Sequence, residues 1–177
     1  MNEIIHTTEW IDMHTDVIEF FASKVKPNLY IELGLYKGET INKVANHAKR
    51  AIGVDLISGF SNKNFEFFQM STDEFLKILK KENLKIDMLF IDADHSYEQS
   101  LKDFDGYFDF VNDDGFIFMH DTYPISEKYL DKGYCGDSYK TAWHIRNNYK
   151  EKCEIVTIPF HPGLSIIKKS TKQLFWI

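Results

Sequence analysis

Tyr30-Ile31-Glu32-Leu33-Gly34-Leu35-Tyr36-Lys37-Gly38-Glu39-Thr40 is the stretch on which the reading of this chain turns. A short apolar run ends in one glycine, and a second glycine stands four residues later, just before a helix-compatible segment. The pattern is that of a buried strand, a tight turn and a helix start. A turn of this kind lets a ligand approach backbone N–H groups at the helix N-terminus. The next apolar run, Ala51-Ile52-Gly53-Val54, ends in Asp55, where an acid is placed to accept hydrogen bonds from ribose hydroxyls. The dinucleotide fingerprint G-x-G-x-x-G uses its second glycine to seat a pyrophosphate on the backbone. Tyr36 occupies that position, and its ring would obstruct the approach. The spacing Gly34-x-x-x-Gly38 therefore suits a nucleoside-bearing ligand that lacks a diphosphate.

On either side of this run strands and helices alternate. Residues 7–24 carry Trp10, Ile11, Val17, Ile18, Phe20 and Phe21 among acids, with Thr7 or Thr8 as a cap, which suits a helix packed on something larger. Pro27 ends it, and Leu29 to Leu33 is the first strand. The spacing then predicts a helix over 39–48, a strand over 51–55 and a strand from Phe65 to Met70. A helix over 72–81 follows, capped by Ser71 or Thr72, and Ile86 to Ile91 reads as a buried parallel strand interrupted only by Asp87. A helix over 97–110, a turn at Asp113-Asp114-Gly115 and a strand from Phe116 to Met119 come next. Residues 123–137, rich in Pro, Gly, Tyr and charge, read as a long loop and a candidate lid. A helix over 138–149 precedes two strands, Glu154 to Ile158 and Leu164 to Lys168, close enough to form an antiparallel hairpin. The expected architecture is α/β: a Rossmann-like, doubly wound, mostly parallel seven-stranded sheet with an antiparallel C-terminal strand at its edge.

Bulk properties narrow the class. The chain has 177 residues, with 44% apolar and 27% charged, which suits one soluble domain over 1–177 with the first 26 residues packed on it. A net charge of −6 argues against a general nucleic-acid binder. Cys135 and Cys153 have no C-x-x-C partner, and two free thiols fit a reducing cytosol. Acids at Glu3, Glu9, Asp12, Asp16 and Glu19 do not resemble a signal peptide, and no apolar run reaches the length of a membrane span. A cytoplasmic protein with no membrane partner is the expectation.

Ligands of open α/β sheets sit at the carboxyl ends of the strands, so the residues just past each apolar run carry the chemistry. These are Glu32 to Gly34, Asp55, Gln69-Met70-Ser71, Asp92-Ala93-Asp94-His95 and His120-Asp121-Thr122. Carboxylates leaving a buried strand repel one another unless a cation or protons neutralise them. Carboxylate oxygens and a histidine nitrogen around open positions suit Mg²⁺, Mn²⁺ or a similar ion. The bland alternative is that Asp92 and Asp121 cap helices while Asp94 and His95 face water. His14 and His47 read as solvated, Trp143 and His144 as helix packing, and His161 as a turn residue or a neighbour of the rim.

The order of these motifs resembles class I S-adenosylmethionine-dependent methyltransferases. The carriers are Ile31 to Thr40, Gly53-Val54-Asp55, Phe90-Ile91-Asp92-Ala93-Asp94-His95-Ser96-Tyr97 and Gly115 to Asp121, with Gly163-Leu164-Ser165-Ile166 at the last strand. Within that superfamily the chain is similar to the small branch of macrolide-sugar and aminocoumarin O-methyltransferases and cephalosporin-hydroxylase-like proteins. The resemblance implies S-adenosylmethionine and a divalent cation such as Mg²⁺ as cofactors. It makes Glu32, Gly34, Tyr36 and Gly38 the methionine-side loop, Asp55 the ribose ligand and Met70 with Ser71 the adenine site, with Asp92 also beside the cofactor. It implies Asp92, His120 and Asp121 as metal ligands and Asp94, with His95, as the proton-handling pair. The chain lacks the longer N-terminal lid of the sugar methyltransferases, which leaves the substrate class open and gives a homo-oligomer a role in completing the walls.

The leading expectation is thus an O-methyltransferase acting on a hydroxyl of a small molecule, a sugar or a natural product. Competing readings are a non-catalytic nucleoside or S-adenosylmethionine binder, for which the clustered acids are superfluous, and an NAD-dependent oxidoreductase, against which Tyr36 counts. A metal-dependent hydrolase leaves the glycine loop and Asp55 unexplained.

Overall fold

The computed structural model describes residues 13–57, 59–60 and 63–170. Its strands are β1 (Leu29–Leu33), β2 (Arg50–Asp55), β3 (Glu66–Gln69), β4 (Ile86–Ile91), β5 (Val111–His120), β6 (Cys153–Ile158) and β7 (Leu164–Lys169). They form one seven-stranded sheet in the order β3-β2-β1-β4-β5-β7-β6. Pairing is parallel from β3 through β5, and β7 runs antiparallel to both β5 and β6. The antiparallel strand is therefore inside the sheet and β6 is the edge, because β7 folds back between β5 and β6 instead of flanking the pair.

Among the described residues five α-helices cover the two faces: α1 (His14–Val25), α2 (Glu39–Val44), α3 (Thr72–Glu82), α4 (Tyr97–Phe108) and α5 (Tyr139–Asn148). Period-two alternation divides each strand between two cores. Leu29, Ile31 and Leu33 of β1 join Phe75, Leu79, Phe104 and Ile145 under α3, α4 and α5. Tyr30, facing the other way, joins Ile18, Ala22, Ile41 and Val44 under α1 and α2. Both faces of β1 and β4 are apolar because both are covered, as a parallel sheet requires. Asp87, the one acid within β4, accepts from the N–H groups of Asn28 (2.6 Å) and Leu29 (3.1 Å) and from Asn112 Nδ2 (2.7 Å), pinning the start of β1 to β4.

Several boundaries differ from the sequence reading. The N-terminal helix starts, among the described residues, at His14 with Met13 as its N-cap; Thr7, Thr8, Trp10 and Ile11 lie outside the described residues. The second helix stops at Val44 and the fourth at Phe108. No turn separates Asp113-Asp114-Gly115 from the strand that follows. β5 begins at Val111 and accommodates the segment as a bulge, pairing Ile86 with Val111 but Met88 with Phe116. Asp114 takes a left-handed φ of 65° there, a conformation aspartate tolerates better than most residues. Trp143 does not pack: its side chain is largely exposed. No helix among the described residues is long and apolar enough to cross a membrane.

Candidate functional site

The carboxyl ends of β1, β2, β4 and β5 border two adjoining cavities, of about 490 Å³ and about 400 Å³. Gly34, Tyr36, Asp92 and His95 line both and mark the boundary between them. The sequence rim is thus one continuous structure, and its residues divide between two compartments.

The smaller cavity is walled by Asp55, Leu56, Ile57, Met70, Ser71, Asp94 and Gln99. At its head Gly34 takes φ 85°, and a Cβ there would lie 2.2 Å from the Asp92 carbonyl oxygen, so only glycine lets β1 and β4 end this close together. Backbone donors of the turn are used within the protein. Gly34 N–H bonds Val54 O (2.9 Å), Leu35 N–H bonds Asp55 Oδ2 (2.7 Å) and Gly38 N–H bonds Leu35 O (2.6 Å). Tyr36 follows at φ 49° and is 76% exposed, with the Lys37 ammonium over its ring. Asp55 accepts from Leu35 and Ile57 N–H (2.7 and 2.8 Å), and a carboxylate with two such bonds keeps acceptor capacity for a further pair of donors. Ser71 has a second duty. Its hydroxyl accepts from Glu74 N–H (3.3 Å), and Glu74 returns a carboxylate to Ser71 N–H (3.0 Å), a complete capping box at the start of α3.

The larger cavity is walled by Glu32, Glu39, Thr40, Phe90, His120, Asp121 and Tyr134, together with His14 from α1. On its floor a polar cluster forms between β4 and β5. His120 Nδ1 is 3.2 Å from Asp92 Oδ1 and 3.6 Å from Asp121 Oδ2, while His95 Nε2 is 3.1 Å from Asp121 Oδ2 and 3.9 Å from Asp92 Oδ1. Burial acts to lower the His120 ring's pKa, but Asp92 and Asp121 outweigh it and push the ring up to about 10. Burial likewise acts to raise the Asp121 carboxyl, and the neighbouring His120 and His95 hold it below its ordinary value. Asp121 sits at φ 57°, and its Oδ1 is buried with no hydrogen-bond partner among the described residues.

The orientation of His95 is imposed from outside the cluster. Its Nδ1 contacts the carbonyl oxygen of Tyr134, an acceptor only, so Nδ1 carries the hydrogen. The His95 carbonyl in turn accepts from Asp137 N–H (2.9 Å) and Ser138 N–H (3.2 Å). A Cβ at Gly136 would fall 2.0 Å from that oxygen, so the approach needs glycine. With Nδ1 turned to that carbonyl, Nε2 is the nitrogen that faces the Asp121 carboxylate.

Asp92, His95, His120 and Asp121 are brought together; Asp94 is not. It lines the smaller cavity only. The Ser96 hydroxyl, against the effect of burial, and the Ser96 backbone N–H (2.7 Å) hold its carboxyl below the ordinary range, which makes it a weak base. Asp92, His95 and Asp121 offer ligand atoms within 4.8 Å of one another, and His120 Nδ1 lies beside the same two carboxylates. His14 is half-buried instead of solvated, with its ring 4.1 Å from that of His120. Nothing in its charged sequence context marks it as a cavity residue. The Tyr134 carbonyl was equally invisible, being a backbone atom in a loop. His144 accepts or donates at the Tyr97 hydroxyl (2.9 Å), and His161 is buried against the Tyr129 ring.

This geometry has counterparts among known proteins. The family described as Methyltransferase domain (Methyltransf_24) matches residues 20–122, more than half of the chain. Uncharacterized protein R132 of Acanthamoeba polyphaga mimivirus is 29% identical over 130 residues; the match takes in 62% of this chain but spans only 59% of the viral protein. Among solved structures, the chain is similar to the O-methyltransferase TomG of Streptomyces achromogenes, involved in tomaymycin synthesis and solved with S-adenosylmethionine (TM-score 0.73, 11% identity, 92% of this chain and 82% of that one). It is similar to an O-methyltransferase of Bacillus cereus solved with S-adenosylhomocysteine (TM-score 0.69, 10% identity, 93% and 84%). It is also similar to the MycE methyltransferase of the mycinamycin pathway, solved with Mg and S-adenosylhomocysteine (TM-score 0.67, 14% identity, 96% and 53%). With the family match over β1 to β5 and this sheet order, the chain belongs to the methyltransferase-domain family and has the class I S-adenosylmethionine-dependent methyltransferase fold.

Proposed function

We propose that this protein transfers the methyl group of S-adenosylmethionine to a hydroxyl oxygen of a small molecule, assisted by a divalent cation. The observation that carries the reading is the convergence of Asp92, His95 and Asp121 on the boundary between a cavity headed by Asp55 and a second, larger one. The solved relatives that hold S-adenosylmethionine or S-adenosylhomocysteine, and the one that also holds Mg, support it.

The residues fit a cation on their own terms. Two carboxylates and an imidazole nitrogen form a mixed oxygen and nitrogen donor set suited to Mg²⁺ or Mn²⁺ with waters completing the shell. Asp121 Oδ1 is buried with no hydrogen-bond partner among the described residues, and His120 supplies one positive charge against two carboxylates. The cluster is left with one negative charge that His120 does not balance, which a bound cation would meet.

In this reading Asp55 receives the ribose hydroxyls, and Met70 with Ser71 borders the adenine. Glu32 faces the larger cavity, where the cofactor's amino-acid end would lie. The sulfonium of S-adenosylmethionine makes the methyl carbon electrophilic, so the protein's task is to orient the acceptor oxygen in line with it. A bound cation would supply Lewis acidity that lowers the pKa of that hydroxyl. Asp92 and Asp121 would hold it, with His95 as the third ligand, locked in orientation by Tyr134 and residues 136–138. His120 fixes the two carboxylates relative to each other. His14, Phe90 and Tyr134 give the acceptor compartment ring-bearing walls and exclude water.

The test is transfer of labelled methyl from S-adenosylmethionine to a panel of hydroxylated small molecules, with and without EDTA, for the wild type and Asp121→Ala. Label should appear on oxygen and vanish with the chelator and in the variant. Full turnover in EDTA would remove the cation from the mechanism, and label found solely on nitrogen or sulfur would overturn the choice of acceptor atom.

A further inference from the structure

Glu32 is the most deeply buried acid on the wall of the larger cavity, at 1% exposure. Burial drives its carboxyl well above the ordinary range, against hydrogen bonds from Tyr30 and the Ile41 backbone that pull the other way. No lysine, arginine or histidine among the described residues is within ion-pair distance of it. Burial without a cationic partner favours the neutral acid, and a ligand that brings positive charge would favour its ionised form. The amino group of the cofactor's amino-acid end is such a charge.

One group prepares Glu32 for that ligand. Tyr30 precedes it by two residues on β1, so period-two alternation sends both side chains to the α1 and α2 face. The Tyr30 hydroxyl, fully buried, donates to Glu32 Oε2 at 2.5 Å. Two consequences follow. The bond lowers the cost of ionising an acid that burial opposes, and it anchors one carboxyl oxygen from behind the cavity wall, which restricts the rotation of the group.

We infer that Tyr30 is a positioning residue for cofactor binding: its hydroxyl fixes the Glu32 carboxyl in the orientation from which it captures a ligand ammonium. The inference rests on the cofactor assignment above. It adds a residue that touches neither cavity, and it makes the amino-acid half of the cofactor dependent on a phenol hydroxyl behind the wall.

The experiment compares two ligands by calorimetry on the full chain. S-adenosylhomocysteine carries the amino-acid end; 5′-methylthioadenosine is the same nucleoside without it. Tyr30→Phe keeps the ring and its packing and removes only the hydroxyl. It should weaken S-adenosylhomocysteine by about tenfold and leave 5′-methylthioadenosine unchanged. Equal weakening of both ligands, or of neither, would overturn the inference, the first by showing a merely structural role. In a Glu32→Gln background, Tyr30→Phe should add no further loss for S-adenosylhomocysteine; a repeated tenfold loss would also overturn it, and this arm stands even where the single variant is less stable. A wild type that binds neither nucleoside would instead remove the cofactor reading itself, an outcome distinct from all of these.

Discussion

Asp94 and His95 are neighbours in sequence with different fates. Asp94 turns toward the nucleoside cavity and is bonded to Ser96, whereas His95 turns toward Asp121 and is fastened by Tyr134. The Asp-x-Asp-His run was legible as a site because carboxylates after a buried strand demand compensation. Which member meets which partner was not, because that depends on the backbone of residues 134–138, some forty positions downstream. Asp55 was legible as an acid at the end of the second strand, and the structure adds that its carboxylate reaches the turn after the first, where Leu35 N–H donates to it. If it also receives ribose hydroxyls, Asp55→Ala should weaken S-adenosylhomocysteine by about 1.5–3 kcal/mol for each charge-assisted bond lost. Binding calorimetry on a variant shown to be folded decides the matter, and an unchanged affinity would end the ribose assignment.

At the scale of elements, the sheet was readable because each strand is a compact apolar run bounded by Gly, Pro or charge, and each helix intervenes at a length that forces parallel pairing. Two features were not. The bulge at 112–115 lies inside β5, and Asp-Asp-Gly carries the same local signal whether it turns the chain or bulges it. The segment 123–137 was read as a lid on composition, yet its two ends behave differently. Residues 125–128 and 130–134 are exposed, with a 3-10 turn at Glu127–Leu130, whereas Cys135 and Gly136 are buried and the backbone of 137–138 is bonded to His95. Trypsin is therefore expected to cut the free chain at Lys128 or Lys132, with 135–138 protected, and S-adenosylhomocysteine with acceptor should slow the cut. Cleavage unaffected by both ligands would show that the exposed half does not close.

Across the whole molecule, one buried acid outside the site sets a pH dependence of stability. Asp103 on α4 accepts from Thr72 Oγ1 (2.6 Å) and Gln99 Nε2 (3.0 Å) at Oδ1, and its Oδ2 is buried with no partner among the described residues. Burial pushes its carboxyl up to about 6 from 3.8, against those two hydrogen bonds. Because the folded value lies above the unfolded one, the protonated acid is preferred in the folded chain. Its contribution is complete below pH 3.8 and is lost as the pH rises through 6. Asp103→Asn cannot ionise, so urea melts should show its stability relative to wild type improving by about 2.4 kcal/mol between pH 4 and pH 7. A difference that stays constant over that range would mean that Asp103 does not titrate in it.

The proposed function makes one claim above the others: the chain binds a nucleoside sulfonium cofactor rather than a dinucleotide. Gly34 and Leu35 spend their N–H groups on β2 and Gly38 spends its own within the turn, and Tyr36 occupies the place where a pyrophosphate would need bare backbone. Calorimetric titration of the full chain with S-adenosylhomocysteine and, separately, with NAD⁺ tests this most directly. Saturable one-to-one binding of S-adenosylhomocysteine with no heat of binding from NAD⁺ is the expected result. Saturable binding of NAD⁺ with none of S-adenosylhomocysteine would contradict it.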